Sequence, residues 1–149
     1  MSLKCFVKVG SVNNLSDARY FSAMNVDLIG FKLDENNNDS INLESLKEIR
    51  NWISGVGIIG EFSNSNNDYI NDIIKNFSFD YIQIDYPHNL EKIEFDKKKI
   101  ILNINKSNKI NTKKKIDDLL KNYSDIFLLN IDFENEETLT LYNKLFENN

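Results

Sequence analysis

Short apolar runs alternate along this chain with stretches in which apolar residues recur every three or four positions. The apolar runs predict strands, and they lie at residues 5–9, 27–33, 56–62, 81–85, 100–104 and 126–131. The stretches between them predict amphipathic helices, and the clearest case is Leu43, Leu46, Ile49 and Ile53. Ser16 is a candidate N-cap for the first helix. The strand–helix alternation indicates an α/β fold with a parallel sheet covered by helices.

Two architectures suit this pattern, a doubly wound open sheet and a (βα) barrel. Open sheets commonly bind nucleotides through a glycine-rich turn after the first strand, but only Gly10 stands there, which excludes dinucleotide and P-loop sites. Within the predicted strands, one alternating set of positions is nearly pure hydrocarbon, and the other is largely polar. The polar set comprises Lys8, Gly10, Gly30, Lys32, Asp34, Tyr81, Gln83, Asp85, Asn103, Asn105, Asn130 and Asp132. Polar side chains that face a lumen favour the barrel.

Composition narrows the class of protein. The chain has 149 residues, 41% of them hydrophobic and 28% charged, which is typical of a globular domain. Its net charge of −5 argues against a general nucleic-acid surface. Its single cysteine excludes an internal disulfide, and no metal cluster or cofactor is expected. No signal peptide or membrane-spanning segment is evident, so we expect a cytoplasmic protein. We also expect a single domain over residues 1–149, with Trp52 in its core.

Four stretches resemble phosphoribosylanthranilate isomerase, the (βα)8-barrel enzyme of tryptophan biosynthesis. Residues 8–18 align without gaps with the family's opening motif, Lys-Val-Cys-Gly-Ile-Thr-Asn-Leu-Glu-Asp-Ala. Residues 25–31 align with its Gly-Ala-Asp-Ala-Ile-Gly-Phe, residues 59–64 with its Val-Gly-Val-Phe-Val-Asn, and residues 80–86 with its Asp-Ala-Val-Gln-Leu-His-Gly. The resemblance covers roughly the first 90 residues and implies a TIM-barrel-like repeat of about six βα units, an incomplete barrel.

The same resemblance implies a loss of catalytic groups. The cysteine that serves the family as general base is replaced by Gly10, and the general acid, an aspartate, aligns with Asn130. Asp85 replaces the histidine of the fourth strand, and the sequence ends after the sixth predicted helix, so we expect no counterpart of the units that hold substrate phosphate. Since general acid–base catalysis typically contributes about 10²–10⁴-fold, the resemblance implies a pseudoenzyme.

The remaining polar residues leave several functions open. Lys8, Lys32, Asp34, Gln83, Asp85 and Asp132 are the candidate site of the lumen. Their charges could pair with one another, could bind a small anionic ligand or a metal ion, or could serve a new reaction. We therefore expect a binding or interaction module without isomerase activity; the alternative is an isomerase or another enzyme of this family that acts on a small phosphorylated substrate. Six strands instead of eight leave open sheet edges, which predicts a homodimer.

Overall fold

The computed structural model describes residues 5–104, 118, 121–123 and 127–129 of the chain, and these are the residues discussed below. Six strands and three α-helices follow one another in these ranges. They are β1 (Lys8–Val9), α1 (Leu15–Ala23), β2 (Leu28–Lys32), α2 (Leu43–Arg50), β3 (Gly57–Phe62), α3 (Asn67–Asn76), β4 (Tyr81–Asp85), β5 (Ile100–Ile104) and β6 (Phe127–Leu129). Two 3₁₀ turns, Leu90–Lys92 and Lys97–Lys99, separate β4 from β5.

The strands form one sheet in the order of the sequence, β1-β2-β3-β4-β5-β6. β1 pairs with β2, β2 with β3, and β5 with β6, each time in parallel. Parallel neighbours in sequence order, with α1, α2 and α3 as the connections from β1 to β4, are the arrangement of a βα barrel. The predicted TIM-barrel-like repeat of about six units is therefore confirmed.

The described residues divide into two compact units. The first contains the chain up to Gln83 together with Asn89–Phe95, and the second contains Ile84–His88 and the described residues from Asp96 onward. The first unit carries β1, β2, β3, α1, α2 and α3. The expectation of a single domain stays a prediction.

Most of the predicted strands and helices that fall on described residues lie at the positions that the apolar pattern predicted. β4 and β5 have the predicted bounds, whereas β1 begins at Lys8 instead of residue 5. The predicted helix around residues 116–123 and the last predicted helix lie largely or wholly outside the described residues, and Asn105, Asn130 and Asp132 lie outside them too.

Asparagine side chains begin all three α-helices. The side-chain oxygens of Asn14, Asn42 and Asn66 each accept a hydrogen bond from the backbone N–H three residues later. An N-cap of this kind satisfies one of the backbone donors that have no partner inside the helix. The expected cap at Ser16 was wrong, because the helix begins one residue earlier, at Leu15.

The core lies where the hydrocarbon set of strand positions meets the helices. Ile29 and Phe31 of β2 and Ile58 of β3 are at most 1% exposed, as is Leu46 of α2. The placement of Trp52 in the core was wrong: its side chain is 65% exposed, because α2 ends at Arg50 and Trp52 follows in a turn. Among the described residues, no helix is long and apolar enough to cross a membrane.

Candidate functional site

The register of the first three strands decides which side chains lie next to one another. Lys8 of β1 pairs with Leu28 of β2, and Lys32 of β2 pairs with Glu61 of β3. Because side chains alternate across a strand and in-register neighbours share a face, Lys8, Gly10, Gly30, Lys32 and Glu61 all lie on one face. We call this the polar face of the first unit.

A buried ion pair lies at the centre of the polar face. The ammonium Nζ of Lys8 donates to Oε1 of Glu61 at 2.5 Å, and the two side chains are only 10% and 6% exposed. Oε2 of the same carboxylate accepts from the backbone N–H of Ser11 at 2.9 Å and from its hydroxyl at 3.3 Å. The carboxylate is thus held from two sides by residues at the end of β1, about 50 positions earlier in the chain.

Two glycines make room for this carboxylate. A Cβ atom placed on Gly10 would lie 2.9 Å from Oε1 of Glu61 and 3.0 Å from Nζ of Lys8. On Gly30 it would lie 2.0 Å from Oε1 and 2.6 Å from the carboxyl carbon. Heavy atoms in contact normally stay about 3.5 Å or more apart. The Glu61 carboxylate therefore occupies the space that a side chain at residue 10 or residue 30 would need.

Two further polar side chains of the first unit, Lys32 and Gln83, have no partner for their charge or for one hydrogen-bond acceptor among the described residues. Lys32 is half-buried and has no ion-pair partner among the residues that the structure describes. Gln83 is 9% exposed, and within the described part of the chain its Oε1 has no hydrogen-bond donor. A cation without an ion-pair partner attracts anions. A buried acceptor without a donor can bind a ligand that supplies an N–H or O–H group.

The carboxylate of Asp34, another candidate site residue, is bonded to a neighbouring turn. Its carboxylate is buried and accepts hydrogen bonds from the backbone N–H groups of Ser63, Asn64 and Ser65 and from the Ser65 hydroxyl, at 2.8–3.2 Å. These donors all belong to the turn between β3 and α3. Asp34 therefore fixes this turn, and its acceptor capacity is used there rather than on the polar face.

Tyr69 connects α3 to the residue that follows β2. Its hydroxyl donates to the carbonyl oxygen of Leu33 at 3.0 Å. Burial, followed by the negative charges of Glu35, Asp34 and Asp72, raises the pKa of Tyr69 above its usual value of 10.0. The phenol therefore stays protonated and keeps donating at physiological pH.

Replacing Asp34 by alanine is expected to lower the free energy of unfolding by about 2 kcal/mol. The three N–H groups of the turn lose their acceptor, but water can reach the exposed Asn64 and the half-buried Ser63, so the main cost falls on buried Ser65. Urea denaturation would measure the change. The matched variant Asp34→Asn keeps one carbonyl oxygen and should lose about half as much. Equal stability of Asp34→Ala and the unchanged protein would contradict this role.

The second unit contains a separate polar contact. Oδ1 of Asp85 accepts from the side-chain amide of Asn103 at 2.6 Å, and the backbone N–H of Tyr86 donates to the carbonyl oxygen of Asn103. Both side chains are half-buried at the ends of β4 and β5. His88 follows in the same unit, and burial lowers its pKa below the usual 6.5. In the described part of the chain, no three His, Cys, Asp or Glu side chains are arranged to hold a metal ion.

The structure thus pairs Lys8 with a residue that the sequence interpretation missed. Glu61 was not among the candidates, although it is the only charged residue within β3 and shares a strand face with Gly57 and Ile59. The sequence feature that could have identified it was a single carboxylate in an otherwise apolar strand, since a buried carboxylate requires a partner.

Comparison with solved structures shows which fold this is. A phosphoribosylanthranilate isomerase from Thermotoga maritima, in a monomeric form of a dimeric enzyme, superposes with a TM-score of 0.62 and 23% identity over 86% of this chain and 65% of its own. The isomerase from Thermus thermophilus gives a TM-score of 0.70 at 14% identity, over 96% and 72% of the two chains. A third structure, of phosphoribosylanthranilate isomerase in complex with reduced 1-(o-carboxyphenylamino)-1-deoxyribulose 5-phosphate, gives a TM-score of 0.62 at 20% identity, over 86% of this chain and 66% of its own.

This chain has the fold of phosphoribosylanthranilate isomerase. The resemblance identified from residues 8–18 and the three later stretches is confirmed at the level of the fold. The chain spans just under two thirds of the length of two of these isomerases, 65% and 66%. No protein-family model and no curated protein matches the chain.

Proposed function

We propose that this chain is a member of the phosphoribosylanthranilate isomerase family that binds a small anionic, phosphorylated ligand and does not isomerise phosphoribosylanthranilate. The isomerase fold supports the family, and one isomerase of this fold is a complex with a sugar phosphate analogue. The binding site that we propose is the polar face of the first unit, where Lys32 supplies a positive charge that no described carboxylate neutralises.

The observation that carries this proposal is the environment of residue 10. In the family motif that residues 8–18 resemble, the cysteine at this place acts as general base. Gly10 offers no titratable group, and the space of its missing side chain borders the Glu61 carboxylate, 2.9 Å from the Cβ position. In the aligned motif of the third strand, the residue at the place of Glu61 is valine. At residue 10, glycine stands in place of the motif's cysteine. At residue 61, glutamate stands in place of the motif's valine, and its carboxylate accepts hydrogen bonds from Lys8 and Ser11.

A second candidate function follows from the same contact. A carboxylate close to the position of the family's base could itself accept a proton, which would make the chain an isomerase or another enzyme of this family that acts on a small phosphorylated substrate. The existing contacts of the carboxylate argue against this candidate, because Oε1 already accepts from Lys8 and Oε2 from Ser11.

Complementation tests the absence of isomerase activity. We expect that a tryptophan auxotroph without phosphoribosylanthranilate isomerase does not grow when it expresses this chain, since both the thiol at residue 10 and its chemistry are missing. An active isomerase in the same vector is the positive control, and an immunoblot verifies that the chain accumulates. Growth would overturn the proposal, and loss of that growth in Glu61→Gln would favour the second candidate.

The expectations about assembly and location remain proposals. The Thermotoga maritima enzyme is described as dimeric, but the homodimer predicted here from open sheet edges rests on the sequence pattern. The cytoplasmic location also stays a prediction.

A further inference from the structure

The connection between β4 and β5 differs from the three connections before it. Residues 86–99, all of them described, contain two 3₁₀ turns and no α-helix, whereas each earlier connection contains one. This connection lies beside α3, because the side chain of Asn71 donates to the carbonyl oxygen of Lys92 and accepts from the N–H of Glu94. In a βα repeat, neighbouring helices form a continuous outer layer. Here only a short irregular segment packs beside α3 on this side.

An open groove lies between the end of α3 and this connection. Its volume is about 420 Å³, and it is lined by residues 74–79 and by Phe95. We call it the aromatic groove, because Phe77, Phe79 and Phe95 all line it. The ring centres of Phe77 and Phe79 are 4.6 Å apart, and Phe77 and Phe95 are only half-buried, so ring surface is left uncovered. Sites for small molecules typically have volumes of about 300–1,000 Å³ and apolar, aromatic walls.

A guanidinium group lies beside the aromatic groove. Cζ of Arg50 is 5.8 Å from the centre of the Phe77 ring, a cation–π contact. Arg50 is exposed and has no ion-pair partner among the described residues. A guanidinium that stacks on a ring keeps N–H donors in its plane, and their geometry matches a carboxylate. Lys75, which lines the groove, is paired with Glu94 at 3.1 Å, so the charge without a partner is that of Arg50.

We infer that the aromatic groove binds a small aromatic carboxylate, whose ring packs against Phe77 and Phe95 and whose carboxylate pairs with Arg50. Aromatic rings attract one another in offset or edge-to-face contacts, and the positive charge of Arg50 selects an anion. A free small molecule is favoured over a protein partner, because seven residues line the groove, whereas a specific protein interface takes about 20–30 residues a side. This inference does not depend on the proposed function, since the polar face contributes no residue to the groove.

Titration with three probes, followed by NMR, tests the ligand class. We expect 3-phenylpropionate to bind with a Kd of about 1 mM or tighter, as its small size allows. 3-Phenylpropionamide keeps the ring without the charge and should bind about fivefold more weakly, the effect of one exposed Arg–carboxylate pair. Propionate lacks the ring and should show no binding. Equal affinities of the acid and the amide, or no binding of 3-phenylpropionate up to about 10 mM, would overturn the inference.

A pair of arginine variants tests the carboxylate contact. Arg50→Met removes the charge and keeps an aliphatic side chain, so it should weaken 3-phenylpropionate about fivefold and leave 3-phenylpropionamide unchanged. Arg19→Met is the matched control, because Arg19 is also exposed on a helix and does not line the groove. It should leave both probes unchanged. An equal loss in the two variants would show that the acid responds to overall charge and not to Arg50, against the inference.

A second measurement needs no variant. In protein labelled with ¹⁵N-phenylalanine, the amide resonances of Phe77, Phe79 and Phe95 should shift with 3-phenylpropionate. Those of Phe31 and Phe62, whose side chains are at most 2% exposed, should stay in place. Unmoved Phe77 and Phe95 signals at saturating 3-phenylpropionate would overturn the inference, even if both arginine variants behave as expected.

Discussion

Removing the charge of one partner of the Lys8–Glu61 ion pair is expected to lower the free energy of unfolding by about 3–5 kcal/mol. The two side chains are 10% and 6% exposed, so the remaining charge stays in a largely dry environment. Glu61→Gln is the sharper variant, because it keeps the shape of the side chain while it takes away the charge that Lys8 needs. It also replaces the carboxylate that accepts from the Ser11 N–H by an amide, which has only one acceptor oxygen for these hydrogen bonds.

A double-mutant cycle distinguishes the ion pair from general disruption. Lys8→Met should cost somewhat less than Glu61→Gln, because the carboxylate keeps both hydrogen bonds from Ser11. The double variant Lys8→Met/Glu61→Gln should be more stable than the sum of the single losses predicts, since no buried charge remains. Chemical denaturation of the four proteins gives the coupling energy. Additive losses would show that Lys8 and Glu61 do not interact in solution as they do here.

Replacing Gly30 by alanine is expected to lower the free energy of unfolding by about 3 kcal/mol, the upper part of the range for overpacked sites. The added Cβ would lie 2.0 Å from Oε1 and 3.1 Å from Cγ of Glu61. Oε1 cannot move away freely, because Lys8 and Ser11 hold the carboxylate. The clash therefore involves a fixed group rather than a mobile side-chain end.

The same substitution should become mild once the obstacle is removed. In a Lys8→Met/Glu61→Ala background, Gly30→Ala should cost less than about 1 kcal/mol, because the carboxylate and its cation are both gone. Gly10→Ala is the matched comparison in the unchanged protein. Its Cβ would lie 2.9 Å from Oε1 at an exposed chain position, so its cost should be smaller. Thermal and urea unfolding of these variants would decide the matter, and an equal cost of Gly30→Ala in both backgrounds would refute the explanation.

The polar face differs from the family motifs at two neighbouring positions, residues 10 and 61. A side chain at residue 10 or 30 would overlap with the carboxylate of Glu61, and glycine at residue 10 also lacks the thiol of the family motif. The anion-binding proposal uses this polar face.

Local sequence determined much of the fold. The apolar runs fixed the existence of the strands, and the alternation in β2 and β4 separated the polar from the buried face, since side chains in a strand alternate with a period of two. The bounds of β4 and β5 followed from their apolar runs and the turn residues beside them. The resemblance in residues 8–18 correctly predicted the isomerase fold. These features depend on residues that are close together in the sequence, so they can be predicted from the sequence alone.

The site depended on contacts that local sequence does not encode. Lys8 meets Glu61 across 53 positions, and Asp34 meets Ser63 across 29. Which side chains meet is set by the parallel register, in which Lys32 aligns with Glu61 and Lys8 with Leu28. The pattern in the sequence could show that Lys8 and Asp34 were polar residues in apolar surroundings. Only the packing of β1, β2 and β3 decided that Lys8 is neutralised by Glu61 above two glycines, and that Asp34 turns away to bind the loop before α3, because partners so distant in sequence become neighbours only when the strands pair.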